Sequence, residues 1–430
     1  MKRIISMLVL CTVLLLSSCA PDFGGFEHIG EETTDRLLEF DPADFMTEAV
    51  EEKKTAKAKL GLICIGDEYC DYDLAFMLAV KAVCEEKRIG YEIKTNVPDS
   101  SGFTEAADEL IGKECGIIIA DSPEYEEDVV RAAQENENVE FCLCGGTLAH
   151  TEGLDNYHDV YPRAYEGTYL TGIAAGMKLK ERIGSGSISE AKLGYVASFN
   201  NAQNVSAYTA FYLGARSVCP EAVMDVVFTG DRSSEMLEAQ AAKYLIGEGC
   251  AVMSQSVYTR GVPTACEKAG VPDVPCGSFA VTDRPNTGIV SSRTDWTGYI
   301  AYVVDCVKNG ERIDADRAGG LADGTVILTE INALAASSGT EEAIEKARTA
   351  IESGTLRVFD VRCFTAIGDA NAQTDEAGHI TSYKADVDRD QANKRETETV
   401  SEGYFRESEY RSAPYFDVKV DGITILPPAA

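Results

Sequence analysis

Short apolar runs alternate with amphipathic stretches along most of the chain. The runs at 60–65 (LGLICI), 91–95, 116–120 (GIIIA) and 139–144 (VEFCLC) have the length and composition of buried strands. Between them, 73–88, 103–112 and 124–136 carry apolar residues at helical spacing. This βαβαβαβ order predicts a parallel sheet with helices on both faces. The pattern then repeats. A helix beginning near Tyr165 is followed by strands at 193–198 and 223–228 and near 250 and 274, with helices at 202–217 and near 234 and 260. The expectation is an α/β protein of two successive Rossmann-like lobes.

With 430 residues, the chain exceeds one ordinary core and divides by pattern. Lys2 and Arg3 precede an apolar run at 4–16, too short to span a bilayer comfortably but suited to a signal-peptide core. The run ends in Leu16-Ser17-Ser18-Cys19, which resembles a bacterial lipobox and implies a lipidated Cys19. Residues 1–19 are thus expected to be a lipoprotein signal peptide and 20–58 an acidic tether. The first lobe takes 59–163 plus 284–310, including a helix at 295–308, and the second takes 164–283 plus 311–362. Crossings between lobes are expected within 144–163, 284–292 and 319–330. A charged C-terminal extension, 363–430, closes in a β-hairpin turned at Asp421-Gly422. No other stretch is apolar enough to span, so the membrane is met through the lipid anchor only, on the extracytoplasmic face.

The formal charge of -32 excludes nucleic acid as a partner and electrostatic adhesion to anionic lipid, because both would repel the chain. Cysteines lie inside apolar strands, without CxxC or Cys/His ligand spacing, which predicts buried free thiols and no zinc site. Catalysis finds no support. The four histidines, His28, His150, His158 and His379, share no short motif with a nucleophile, and GSGS at 184–187 is not a nucleophile elbow. GDEYC follows the first strand where a dinucleotide site would need GxGxxG, so no cofactor is expected.

In parallel α/β sheets ligands lie beyond the carboxyl ends of the strands, which points to the loops there. The first lobe offers Asp67, Asp71 and Tyr72 in GDEYCDYD, and Asp121 and Ser122 after the third strand. The acidic loop lacks the EF-hand spacing, so no metal is expected. In the second lobe Phe199 and Asn200 follow one strand, Gln255 another, and Asp283 and Trp296 lie toward the hinge. Aromatic faces can sandwich a base, carboxylates accept hydrogen bonds from ribose hydroxyls, and amides satisfy a purine edge; these types suit a nucleoside-like small molecule.

The succession Arg163, Tyr165, Glu166, Tyr169-Leu170, Gly172, Ala175-Gly176, then GYVASF at 194–199, LGARSVCP at 213–220 and FTG at 228–230, resembles the BMP/Med family of basic membrane proteins and PnrA-like lipoproteins. The similarity runs from about 59 to 310. It implies a type I periplasmic binding protein with a ligand cleft between the lobes, serving an ABC permease and ATPase. Two loops depart from the family. Cys70-Asp71-Tyr72-Asp73 stands where a Ser-Phe-Asn or Trp signature is usual, and Asp231-Arg232-Ser233-Ser234 follows Gly230 where an aromatic and an aspartate are usual. These departures bear on the ligand, which extends to a base, sugar or amino acid, and a sensor without a transport role is the alternative.

Overall fold

The computed structural model describes residues 57–98, 101–277, 284–387 and 395–428. The expected signal peptide, Cys19, nearly all of the tether, and Asp283 lie outside them.

In the first lobe, strands β1 (Leu60–Ile63), β2 (Tyr91–Lys94), β3 (Ile117–Ala120), β4 (Glu140–Cys144) and β5 (Tyr157–Val160) alternate with helices α1 (Asp71–Lys87), α2 (Ser101–Gly112), α3 (Glu126–Glu135) and the short α4 (Ala149–Glu152). The all-parallel pairing runs β5-β4-β3-β1-β2. β1 and β3 are buried at every position because helices cover both faces, whereas β2, at the edge, is only half-buried.

The second lobe contains α5 (Ala164–Gly184), β6 (Lys192–Ala197), α6 (Ala202–Val218), β7 (Val223–Phe228), α7 (Glu235–Gly247), β8 (Val252–Gln255), α8 (Gly261–Ala269) and β9 (Asp273–Val274). α5 and α6 pack backbone to backbone. A Cβ on Gly172 would stand 2.1 Å from the Phe211 carbonyl oxygen, and one on Gly214 would stand 2.0 Å from that of Tyr169. Only glycine permits this approach.

Two antiparallel strands, β10 (Ser292–Thr294) and β12 (Val326–Leu328), form a small ladder between the lobes. Between them in sequence, α9 (Thr297–Asn309) packs with α1 in the first lobe's core. The two-residue β11 (Asp316–Arg317) extends the first lobe's sheet beside β5. Residues assigned to the second lobe from 311 onward therefore begin in the first. β5 itself was expected to be part of a crossing; its sequence YHDV mixes polar and apolar residues and hides a fully buried strand.

After α10 (Thr340–Glu352) come β13 (Ala372–Thr374), β14 (Ile380–Ala385), β15 (Thr397–Glu398), β16 (Val400–Ser401), β17 (Tyr404–Phe405) and β18 (Ile423–Leu426). The C-terminal hairpin is corrected here: 413–420 forms no strand, and β18 pairs in parallel with β7, completing the sheet β18-β7-β6-β8-β9. Phe416, Val418 and Val420 bury their side chains against the second lobe instead of joining a ladder, and Gly422, at φ +88, turns the chain onto the open edge of β7. The extension is thus part of a core. Phe364, Tyr383, Phe405 and Phe416 share one apolar cluster with α5 and α6, and Phe416 stacks on Phe359 at 4.2 Å. Among the described residues the cysteines are unpaired and mostly buried, and no helix is long and apolar enough to cross a membrane.

Candidate functional site

The carboxyl ends of β1 and β3 face those of β6, β7 and β8 across a cleft. Two adjoining cavities of ≈ 100 and ≈ 140 Å³ occupy it, and Tyr72, Tyr161, Gln203, Asn204, Ser256 and Tyr258 border both.

Tyr72 occupies the first turn of α1. Its hydroxyl donates to the Asp121 carbonyl at 2.7 Å and lies 3.1 Å from the Cys144 sulfur, which fixes the ring at the middle of the cleft. Tyr258, from the loop after β8, faces it at 5.3 Å between centroids. The lobes also meet through the Asp71 amide, which donates to the Tyr258 carbonyl at 3.3 Å, and through an Arg232–Glu124 ion pair at 2.6 Å.

Beneath Tyr72 lies an acidic pair. Asp73 accepts from the Gly66 amide at 2.7 Å and Asp121 from the Ile65 amide at 3.1 Å, so two loop backbones aim both carboxyls inward. Burial, then the adjacent Asp73, pushes Asp121 well above the usual carboxylate range. The Cys64 thiol is pushed up by burial and by both carboxyls. Ligand atoms of Cys64, Asp73 and Asp121 lie within 4.8 Å of one another, close enough to share a cation. Burial and the neighbouring carboxyl both favour the protonated form of Asp121, in which it could donate as well as accept.

On the opposite wall Asn201 caps α6 by accepting from the Asn204 amide. The Asn204 side chain donates to the Phe199 carbonyl at 2.8 Å and accepts from the Ser256 hydroxyl at 2.6 Å. That network orients Ser256 at the cavity edge.

The structure brings Asp71, Tyr72, Asp121, Ser122, Phe199, Gln255 and Trp296 to the cavity walls. Their placements differ. Phe199 is a half-exposed rim residue, with the Arg232 guanidinium 6.0 Å from its ring centroid. Trp296 is 1% exposed and stacks on Phe76 at 4.2 Å, so its indole is largely a packing group. The Gln255 amide donates to the Val257 carbonyl at 2.6 Å. Asp67 and Asn200 border neither cavity. The Asp67 carboxylate instead holds its own turn, accepting from the Tyr69 amide and the Asn96 side chain, and Asn200 points to solvent. Asp73, Tyr161, Gln203, Ser256 and Tyr258 were not among the sequence candidates. Tyr258 could have been found as the aromatic residue three positions beyond Gln255 in the same strand-end loop.

A family model described as ABC transporter substrate-binding protein PnrA-like matches residues 75–356. A protein of Haloferax volcanii named as an ABC transporter glucose-binding protein, TsgA13, is 31% identical over 173 residues, which are 39% of this chain and 41% of that protein. A purine-binding protein of Brucella abortus is 24% identical over 246 residues, 56% of this chain and 65% of that protein. The chain thus spans less than two thirds of either relative. An ABC transporter solute-binding protein of Aeropyrum pernix K1 superposes with a TM-score of 0.60 at 17% identity, over 73% of this chain and 94% of the other, which is a likeness of fold.

Proposed function

The chain belongs to the family of PnrA-like ABC transporter substrate-binding proteins, and from that premise we propose that it captures a nucleoside-like small molecule between its lobes and delivers it to an ABC importer. The observation that carries this reading is the Tyr72–Tyr258 pair closing over the cleft beside a buried acid pair. The rings stand 5.3 Å apart at 46° and pack on each other, so a planar base would enter between them only as the lobes part, and each base stacked on an aromatic ring contributes roughly 1–3 kcal/mol. Asp73 and Asp121 offer carboxyl oxygens to the hydroxyls of a ribose or the N–H groups of a base, and the purine-binding relative supports the same ligand class. Chemistry on the solute is not part of the reading; binding and closure suffice.

The test is a thermal-shift panel of nucleosides, bases, sugars and amino acids, since a solute that binds only the native state raises its melting temperature. Purine nucleosides should give the largest rise. A response confined to sugars would move the ligand toward that of the Haloferax relative and overturn the nucleoside assignment.

The second part of the reading is the anchor: Cys19 carries the lipid, and the acidic stretch after it tethers the lobes at the extracytoplasmic face. Several acyl chains on one residue hold where a single chain is marginal. Cys19→Ala should abolish incorporation of radiolabelled palmitate in cells and move the protein out of the membrane fraction. Retention of both label and membrane association would refute the anchor.

A further inference from the structure

The loop 407–416 lies beyond the region that the family model matches, yet it reaches the cleft. Pro414 borders the cavity that Tyr72, Tyr161 and Trp296 also line. Three sets of bonds hold it there. The buried Glu407 carboxyl accepts from the Tyr415 and Phe416 amides at 3.2 and 2.9 Å, pinning the two residues after Pro414. Glu407 also sits beside the Ser206 hydroxyl of α6, and its carbonyl accepts from Tyr165 of α5 at 3.3 Å. On the far side the Ser412 amide donates to Asp316 of β11 at 2.6 Å. The loop is therefore rooted in the second lobe, bonded to the first, and inserted between them at the cavity wall.

We propose that loop 407–416 is a third wall of the solute cavity, with Pro414 a specificity-determining contact held in place from both lobes through Glu407 and Asp316. The inference rests on the solute-binding reading of the cleft. An ordinary two-lobed cleft takes its walls from the lobes themselves; here an extension that packs into one lobe and bonds to the other adds a rigid apolar surface. A proline suits such a wall, since its ring is stiff and it has no backbone donor to satisfy.

Pro414→Gly removes the ring, Pro414→Phe fills the space before it, and Asp316→Ala releases the loop from the first lobe. Two measurements apply to each. Trp296 is the only tryptophan and is 1% exposed beside Pro414's cavity, so acrylamide quenching of its fluorescence reports the wall without any ligand. Pro414→Gly and Asp316→Ala should raise the quenching constant at least twofold with circular dichroism unchanged. Calorimetric titration of the purine nucleoside that most stabilises the wild type should show at least tenfold weaker binding by Pro414→Phe. Pro414→Gly should lose part of the wild type's ranking among purine nucleosides. Unchanged quenching overturns the wall, and altered quenching with affinities within twofold of wild type overturns the contact with solute. If the wild type binds no member of the solute panel while quenching still rises, the nucleoside reading falls and the wall stands.

Discussion

Away from Asp121, the buried carboxyls of Asp159, Glu238, Asp273 and Glu407 are each pushed up to about 7, with burial the leading cause. Each keeps its proton in the native fold at pH values where the unfolded chain has lost it, so unfolding releases protons. The stability they contribute is present below about pH 4 and is lost as pH rises to about 7, levelling above that. The melting temperature should therefore fall between pH 5 and pH 8. Rising self-repulsion in a chain of formal charge -32 acts in the same direction, so the wild-type curve alone does not isolate the buried acids. Glu407→Gln keeps an oxygen to accept from the Tyr415 and Phe416 amides but cannot ionise, and should flatten part of the fall. An identical slope in the variant would mean that Glu407 is not held protonated. The residue scale is also where sequence reading was least complete. Asp121 and Tyr72 were legible because they follow strands. Asp67 lies equally close to a strand end, but its carboxylate is taken up by local turn bonds. Tyr161 and Pro414 reach the cavity through tertiary packing that no local motif encodes.

At the scale of elements, the glycines within the family-like motifs have a packing explanation. Gly172 and Gly176 on α5 lie against Phe211 and Ala215 of α6, and a Cβ on Gly176 would stand 2.4 Å from the Ala215 carbonyl oxygen. Gly172→Val should destabilise the protein by ~1–3 kcal/mol or more, because the obstruction is backbone and cannot rotate away. Chemical denaturation would measure it; a loss below about 0.5 kcal/mol, the scale of an ordinary surface change, would show that the helices can separate without cost. Long periodic elements such as α1, α6 and β7 were readable from pattern to within two residues. β5, β11 and β13 to β17 of the extension were not, since they are short, mixed in polarity, and stabilised by neighbours distant in sequence, whereas β18 stands where the hairpin's second strand was expected and differs only in its partner. The extension's charged surface also concealed Phe405, Tyr415 and Phe416, which complete the second lobe's core.

At the scale of the whole molecule, the two parallel sheets present their carboxyl ends to one cleft, and the chain passes between the lobes around the β10–β12 ladder. Such a hinge lets a solute act by differential affinity, favouring whichever lobe arrangement it contacts from both sides. The Arg232–Glu124 pair is partly exposed, and such pairs are worth ~0–1 kcal/mol, so solute contacts, rather than this bridge, would dominate closure. Tyr258 belongs to the second lobe and faces Tyr72 of the first, which makes it the residue through which a stacked base would couple the two. Calorimetric titration of a purine nucleoside into wild type and Tyr258→Ala tests this most directly. The account predicts one saturable site in the wild type and binding about tenfold weaker or more in the variant, the loss expected from removing one stacking face. No binding in the wild type, or equal affinity in both proteins, would contradict it.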